Sequence, residues 1–322
     1  MIELLLAASI TAVLSGILVI TVTQVLGLWT RSGGAVAETG EATRILDQLA
    51  QDLEAVVMRP DANAWLAATV QRNQSGAGDS GMSDADWSGQ PKPPGAASLR
   101  LDPPDSPIDL LRFGQAGVWL RFFTVEPDAN DGATNRSLPR AVAYQIVRRR
   151  SGGRTVYQLF RSQVRPGGAN STFSSGYDLF AAAYVTPNGS EQHPGNIRRP
   201  NVRFLMGNHV IDFGVRIFVR DVEGTTRLAF PASSEAEQSF VATAGTSPVP
   251  GYGGRPVTRG WPVQLQVMVR ILVGEGVRAL ANLESGRTSV PAGRTYDDYW
   301  WELAEAHSQV HVRTITPHAL VP

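Results

Sequence analysis

Few residues in this chain could do chemistry: it has five His and no Cys. His307 and His311 stand four apart, a spacing at which a helix offers two imidazoles to zinc. Val310 and Val312 flank His311 in a strand-like alternation instead, and residues four apart on a strand are separated by about 13 Å, too far for one ion. Only a helix running on from Tyr296 through His311 would bring them together. Asp128-Ala129-Asn130-Asp131-Gly132 offers oxygens around a Gly turn, as a calcium loop does, but lacks the EF-hand spacing and its closing Glu. It reads as a solvated Asx turn, with calcium binding as the alternative. Gly274-Glu275-Gly276-Val277-Arg278-Ala279 matches the dinucleotide fingerprint with Ala in the last position. The preceding run alternates like a half-exposed antiparallel strand and no strand–helix repeats flank it, so it reads as a turn. Arg148-Arg149-Arg150 beside Gly152-Gly153 reads as a solvated hairpin end. There is no Gly-x-Ser-x-Gly elbow and no thiol. No catalytic residue, metal ligand, cofactor or cofactor-binding residue is assigned, and the chain is expected not to be an enzyme. Its net charge is zero and nothing suggests electrostatic binding to nucleic acid, which needs clustered positive charge, so no nucleic-acid partner is expected.

Two other features stand out. Glu3 is the lone charge before Arg31, in the run MIELLLAASITAVLSGILVITVTQVLGLWT. A run of that length and polarity can cross a bilayer as a helix. A carboxylate inside a membrane costs about 2.5–3.5 kcal/mol on insertion scales, so Glu3 needs a cationic partner or a place at the headgroups. No basic residue leads the run and it outlasts the apolar core of a signal peptide. The second feature is Tyr296-Asp297-Asp298-Tyr299-Trp300-Trp301. Its aromatics Tyr296, Tyr299, Trp300 and Trp301 are candidates for a partner patch, or for the cover of a sheet face.

These residues need elements to hold them. Ile45, Leu46, Leu49, Leu53, Val56 and Val57 form one helical stripe, with Glu38, Glu41, Arg44, Asp47, Gln48, Gln51, Asp52 and Glu54 on the other faces. Arg59-Pro60 ends the pattern. A helix over 1–58 is expected, about 85 Å long at 1.5 Å per residue, with a bend at Gly33-Gly34. It divides into an apolar part, 1–30, and an amphipathic continuation, 31–58. Residues 59–322 read as a β-rich head. Strands are expected over 65–70, 108–113, 118–125, 142–146, 156–160, 210–222, 263–273 and 309–315, with a short apolar helix over 177–184. Gly114–Gly117, Gly152-Gly153 and Glu223-Gly224 are the hairpin turns. Residues about 71–107 and 232–260, rich in Gly, Pro, Ser and Asp, read as mobile loops.

Ile2-Glu3-Leu4-Leu5-Leu6-Ala7-Ala8-Ser9-Ile10 resembles the start of a mature type IV pilin or type II secretion pseudopilin, which typically reads Phe-Thr-Leu-Ile-Glu-Leu-Leu-Val-Ala. Glu3 matches that family's glutamate. A basic leader ending in Gly, and two residues of the mature end, are expected ahead of Met1. Further along, Val142-Ala143-Tyr144-Gln145-Ile146 with Leu159-Phe160-Arg161, Gly207-Asn208-His209-Val210, Trp261-Pro262 and Val310-His311-Val312-Arg313 follow in an order similar to the large J-type minor pseudopilins.

The resemblance implies an α+β pilin-like fold, a long N-terminal helix packed on an antiparallel sheet head. It implies a structural subunit of a type II secretion pseudopilus or a type IV pilus-like filament, and the large head suggests a position at or near the tip, since bulky heads pack poorly along a shaft. Glu3 would pair with the N-terminal amine of a neighbouring subunit. A unit pair at 4 Å is worth about 4 kcal/mol at an effective dielectric of 20, enough to offset burial of the carboxylate. Implied partners are other pilin or pseudopilin subunits, the inner membrane before assembly, and the leader peptidase/methylase acting on the precursor. The implied location is the bacterial inner membrane, single pass with the head in the periplasm, or a cell-surface or periplasmic filament. The alternative is a single-pass anchored periplasmic binding or enzyme domain that does not polymerise.

Overall fold

The computed structural model describes residues 2–58, 64–70, 100–101, 106–114, 117–126, 138–151, 154–164, 178–179, 197, 204–220, 223–232, 238–243 and 257–317. Within these, the side chains of 2–10, 12, 25–37, 126, 138–139, 148–151, 154, 164 and 257–259 lie outside the description. The Asp128–Gly132 turn, the 71–99 stretch and most of 177–184 fall outside the described residues.

The chain divides into two units, Met1–Glu41 and Ala42–Pro322. Helix α1 (Ile2–Glu54) supplies the first and continues into the second, helical through Gly33-Gly34. It stops short of Pro60, because the chain is taken into the sheet first: Val57 N–H donates to Phe123 O at 2.8 Å and Val125 N–H to Ala55 O at 3.0 Å.

The second unit is α+β, built on two antiparallel sheets. The larger has seven strands in the order β5-β4-β3-β2-β1-β8-β9: β1 (Leu66–Val70), β2 (Val118–Glu126), β3 (Leu138–Ser151), β4 (Arg154–Val164), β5 (Leu205–Asn208), β8 (Ser239–Ala242) and β9 (Val257–Arg259). Among the described residues only the β8–β9 pair is parallel. The smaller sheet runs β11-β10-β6-β7: β6 (Val210–Arg220), β7 (Thr226–Phe230), β10 (Pro262–Leu272) and β11 (Ser308–Ile315). Two helices, α2 (Gly274–Glu284) and α3 (Tyr296–Ala306), lie between β10 and β11 in sequence.

The expected stripe of α1 is buried: Ile45, Leu46, Leu49, Leu53 and Val56 join a core shared with Leu66, Leu120, Phe122, Tyr144 and Phe213. Tyr144 and Phe213 carry the larger sheet onto the smaller, with ring centroids 6.5 Å apart. β6 and β10 are buried on both faces over much of their length. Their alternation therefore marks two different interiors rather than an inside and an outside.

Three expectations need correction. Residues 108–113 are not a strand hairpinned to 118–125. Ile108–Leu110 is a 3₁₀ turn after Pro107, and the backbone groups that would pair with β2 go elsewhere. Arg112 exchanges two hydrogen bonds with Arg100, at 2.8 and 3.0 Å, and Phe113 N–H donates to Asp212 Oδ2 at 3.1 Å. The Gly274–Ala279 stretch is not a turn but the start of α2. The 232–260 loop contains β8 and β9, strands too short to show a period of two.

Candidate functional site

The first unit presents an unusual surface. Val13, Leu14, Ile17, Leu18, Val19, Ile20 and Val22 are 47–65% exposed, and at 3.6 residues per turn they point to every side of α1. Two threonines of this stretch are satisfied locally. Thr21 Oγ1 donates to Ile17 O at 2.9 Å, and Thr23 Oγ1 to Val19 O and Ile20 O at 2.9 and 2.8 Å. A helix apolar all round is one that belongs in an interior. Glu3 has a helical backbone, but its side chain lies outside the described residues. Among the described residues no helix is long and apolar enough to cross a membrane, so the transmembrane expectation for 1–30 draws no support from them.

The aromatic quartet is divided. Thr295 caps α3, its hydroxyl accepting from Asp298 N–H at 3.1 Å. From there Trp300 and Trp301 turn inward, 1% and 0% exposed, into a second small core with Tyr157, Ile211, Leu272, Leu280 and Leu283. Trp300 Nε1 donates to Glu284 Oε1 at 3.0 Å, and the Tyr157 hydroxyl donates to the same carboxylate oxygen. Trp301 meets Trp300 edge-on at 5.0 Å, and Arg112 lies 5.2 Å from the Trp301 ring centroid. The partner-patch expectation therefore narrows to Tyr296, 40% exposed, and the partly buried Tyr299. The two tryptophans fix α3 on the sheet.

Asp52, expected on the outer polar faces of α1, is buried, 3% exposed. Its carboxylate accepts from Tyr144 OH at 2.5 Å, Arg161 Nε at 2.7 Å, Arg161 NH2 at 3.0 Å and Gln48 Nε2 at 3.2 Å. Arg161 NH1 continues to Gln163 Oε1 at 2.7 Å. Burial, and then the Asp52 charge, push the Tyr144 hydroxyl well above its ordinary range, so it stays a donor. This network bolts the end of α1 to β3 and β4. The signal was available: Asp52 lies three residues after Leu49 and four before Val56, on the apolar stripe.

Asp212 on β6 was also missed. It is fully buried and faces Arg270 across the β6–β10 ladder. Burial pushes its carboxyl up to about 7, against the Arg270 charge and the Phe113 and Phe213 amides, which pull it down. Over it lies the 108–113 segment, where Arg270 NH2 donates to Asp109 O at 3.2 Å. Gly214 gives the Phe113 ring its seat; a Cβ there would stand 2.3 Å from that ring. Arg112 closes the edge with two bonds to Glu305, at 2.7 and 2.6 Å.

The two histidines do not form a metal pair. His307 caps the end of α3 and His311 lies in β11. Among the described residues no group of three potential ligands is clustered. The glycine pattern at α2 has a packing reason: a Cβ on Gly276 would stand 2.6 Å from His307 Cβ. β10, which precedes it, is antiparallel to both neighbours, so the parallel-sheet setting of a dinucleotide crevice is missing there.

No protein-family model matches the chain, and no curated protein matches it. Among solved structures it is similar to a type IV-like pilin from Thermus thermophilus, at 12% identity and a TM-score of 0.31, over 87% of this chain and 96% of that one.

Proposed function

We propose that the chain is a structural subunit of the type IV pilin or pseudopilin kind, held in the inner membrane by the first part of α1 before assembly and built into a filament core through it afterwards. The observation that carries this is the bare helix: seven large apolar side chains, 47–65% exposed and facing every side, in the stretch that follows Glu3. At about 25 cal/mol per Å² such a surface strongly favours removal from water, and either lipid or sister helices provide it. The inward hydroxyl bonds of Thr21 and Thr23 suit the same surroundings, where an unsatisfied polar group is costly. Glu3 would then meet a cation on a neighbouring subunit, which fixes axial register. The head carries no assigned catalytic group and serves as the part seen by partners, with a place at or near the tip.

Fractionation tests this in two steps. The full chain is expected to stay with inner membranes through an alkaline carbonate wash, and a portion is expected to shear off the cells with filaments. Release by the wash contradicts the anchor. Retention with none in the sheared fraction favours an anchored domain that does not polymerise.

A further inference from the structure

Among the described residues the smaller sheet has an open edge at β11. β11 pairs with β10 along its whole length, Ser308–Ile315 against Leu272–Leu265, with no register shift. Val273 N–H donates to His307 O at 2.9 Å, and bonded pairs alternate along an antiparallel ladder. The odd-numbered residues 309–315 therefore bond inward to β10. Ser308, Val310, Val312 and Thr314 turn their N–H and C=O groups outward, where no strand among the described residues receives them.

Native sheets guard such edges with short strands, prolines, bulges or inward charges. The other three sheet edges fit that rule through brevity: β5, β7 and β9 have four, five and three residues. β11 has eight, with neither Pro nor bulge. Val312 is 43% exposed on the same face as the 3₁₀ turn, where Leu110 is 54% exposed.

We propose that two copies of this chain join edge to edge through β11, antiparallel about a two-fold axis at Val312. That register sets Val312 against its own copy and Val310 against Thr314, β-branched pairs that stabilise a ladder. It also sets His311 against Arg313 on the opposite face. Those charges do not conflict: Arg313 is already paired with Asp47, and burial holds His311 below its ordinary value, neutral at pH 7. The flanking groups on β10 at that face are Val267 and Val269, which carry no charge. One added strand pair buries less than the roughly 1,200 Å² of a stable interface, so the join needs copies held close together. Confinement of the apolar helices to one membrane supplies that local concentration, and this clause rests on the function proposed above.

The absence of Cys makes the test clean. Val312→Cys puts one thiol on each side of the axis, in a bonded pair with Cα atoms about 5.5 Å apart, within disulfide range. Thr314→Cys places its two thiols four residues apart in register, about 13 Å. Full-length variants in native membranes are oxidised mildly and run without reductant. The expected result is a homodimer from V312C, none from T314C, and a dimer again from the V310C/T314C double variant. Equal dimer from V312C and T314C, no dimer from membrane-retained V312C, or an adduct of V312C with a different protein alone would overturn the proposal. Membrane retention is scored on the same samples. Chain that leaves the membrane yet cross-links at V312C keeps the edge and overturns the anchor; chain that stays and does not cross-link does the reverse.

Discussion

Asp52 shows how one side chain can hold a helix to a sheet. Its carboxylate and the Arg161 guanidinium are 4% and 10% exposed, so neither has water to fall back on. Removing one member of a buried pair strands the other and typically costs about 3–5 kcal/mol. Arg161→Ala and Asp52→Ala should each destabilise the head by about that amount in urea melts, and the double variant by clearly less than the sum. Asp212 makes a prediction about pH. Its folded value of about 7 lies above the ordinary 3.8, so the folded state holds a proton that the unfolded state has released. This group's contribution to stability is therefore fully present below pH 3.8, declines as pH rises, and is lost above about 7. Thermal melts should show Asp212→Asn gaining on the parent protein as pH goes from 5 to 8. An unchanged difference across that range would mean Asp212 ionises normally.

At the scale of elements, the sequence was informative where apolar residues formed a periodic stripe or a compact run. The α1 stripe, β6, β10 and β11 were legible within a few residues through period 3.6 or period 2, and β1 and β2 as short apolar runs. Legibility failed where polar residues went inside or where backbone groups found unexpected partners. Asp52, Asp212 and Arg270 look like surface residues in a one-dimensional pattern and are interior ones in the fold. The 108–113 segment is apolar enough for a strand, yet its donors are claimed by Arg100 and Asp212, contacts far away in sequence. α2 was misread because Gly274 and Gly276 suggest a turn, whereas Gly276 is needed against His307. The tryptophans make the element-scale prediction. Trp300→Ala should cost about 3–5 kcal/mol and loosen α3, seen as faster amide exchange over 296–306. Tyr296→Ala, at an exposed position, should change stability by less than about 0.5 kcal/mol. Gly214→Ala pushes the Phe113 ring off its seat and should cost about 1–3 kcal/mol by overpacking.

For the whole molecule, the two units make opposite demands. Ala42–Pro322 closes its large aromatic side chains inside, Trp65, Trp300, Trp301, Tyr144 and Phe213 among them. Met1–Glu41 leaves its apolar side chains from Val13 to Val22 bare, which a lone chain in water does not sustain. The proposed function answers that demand with neighbours, and Glu3 is the residue that would choose their register. The most direct measurement is the fraction of chain in sheared filaments when Glu3 is replaced by Gln, which keeps the shape and removes the charge. The account predicts that E3Q chain stays in the inner membrane at parental levels and is largely lost from the filament fraction. Incorporation of E3Q at the parental level would contradict it.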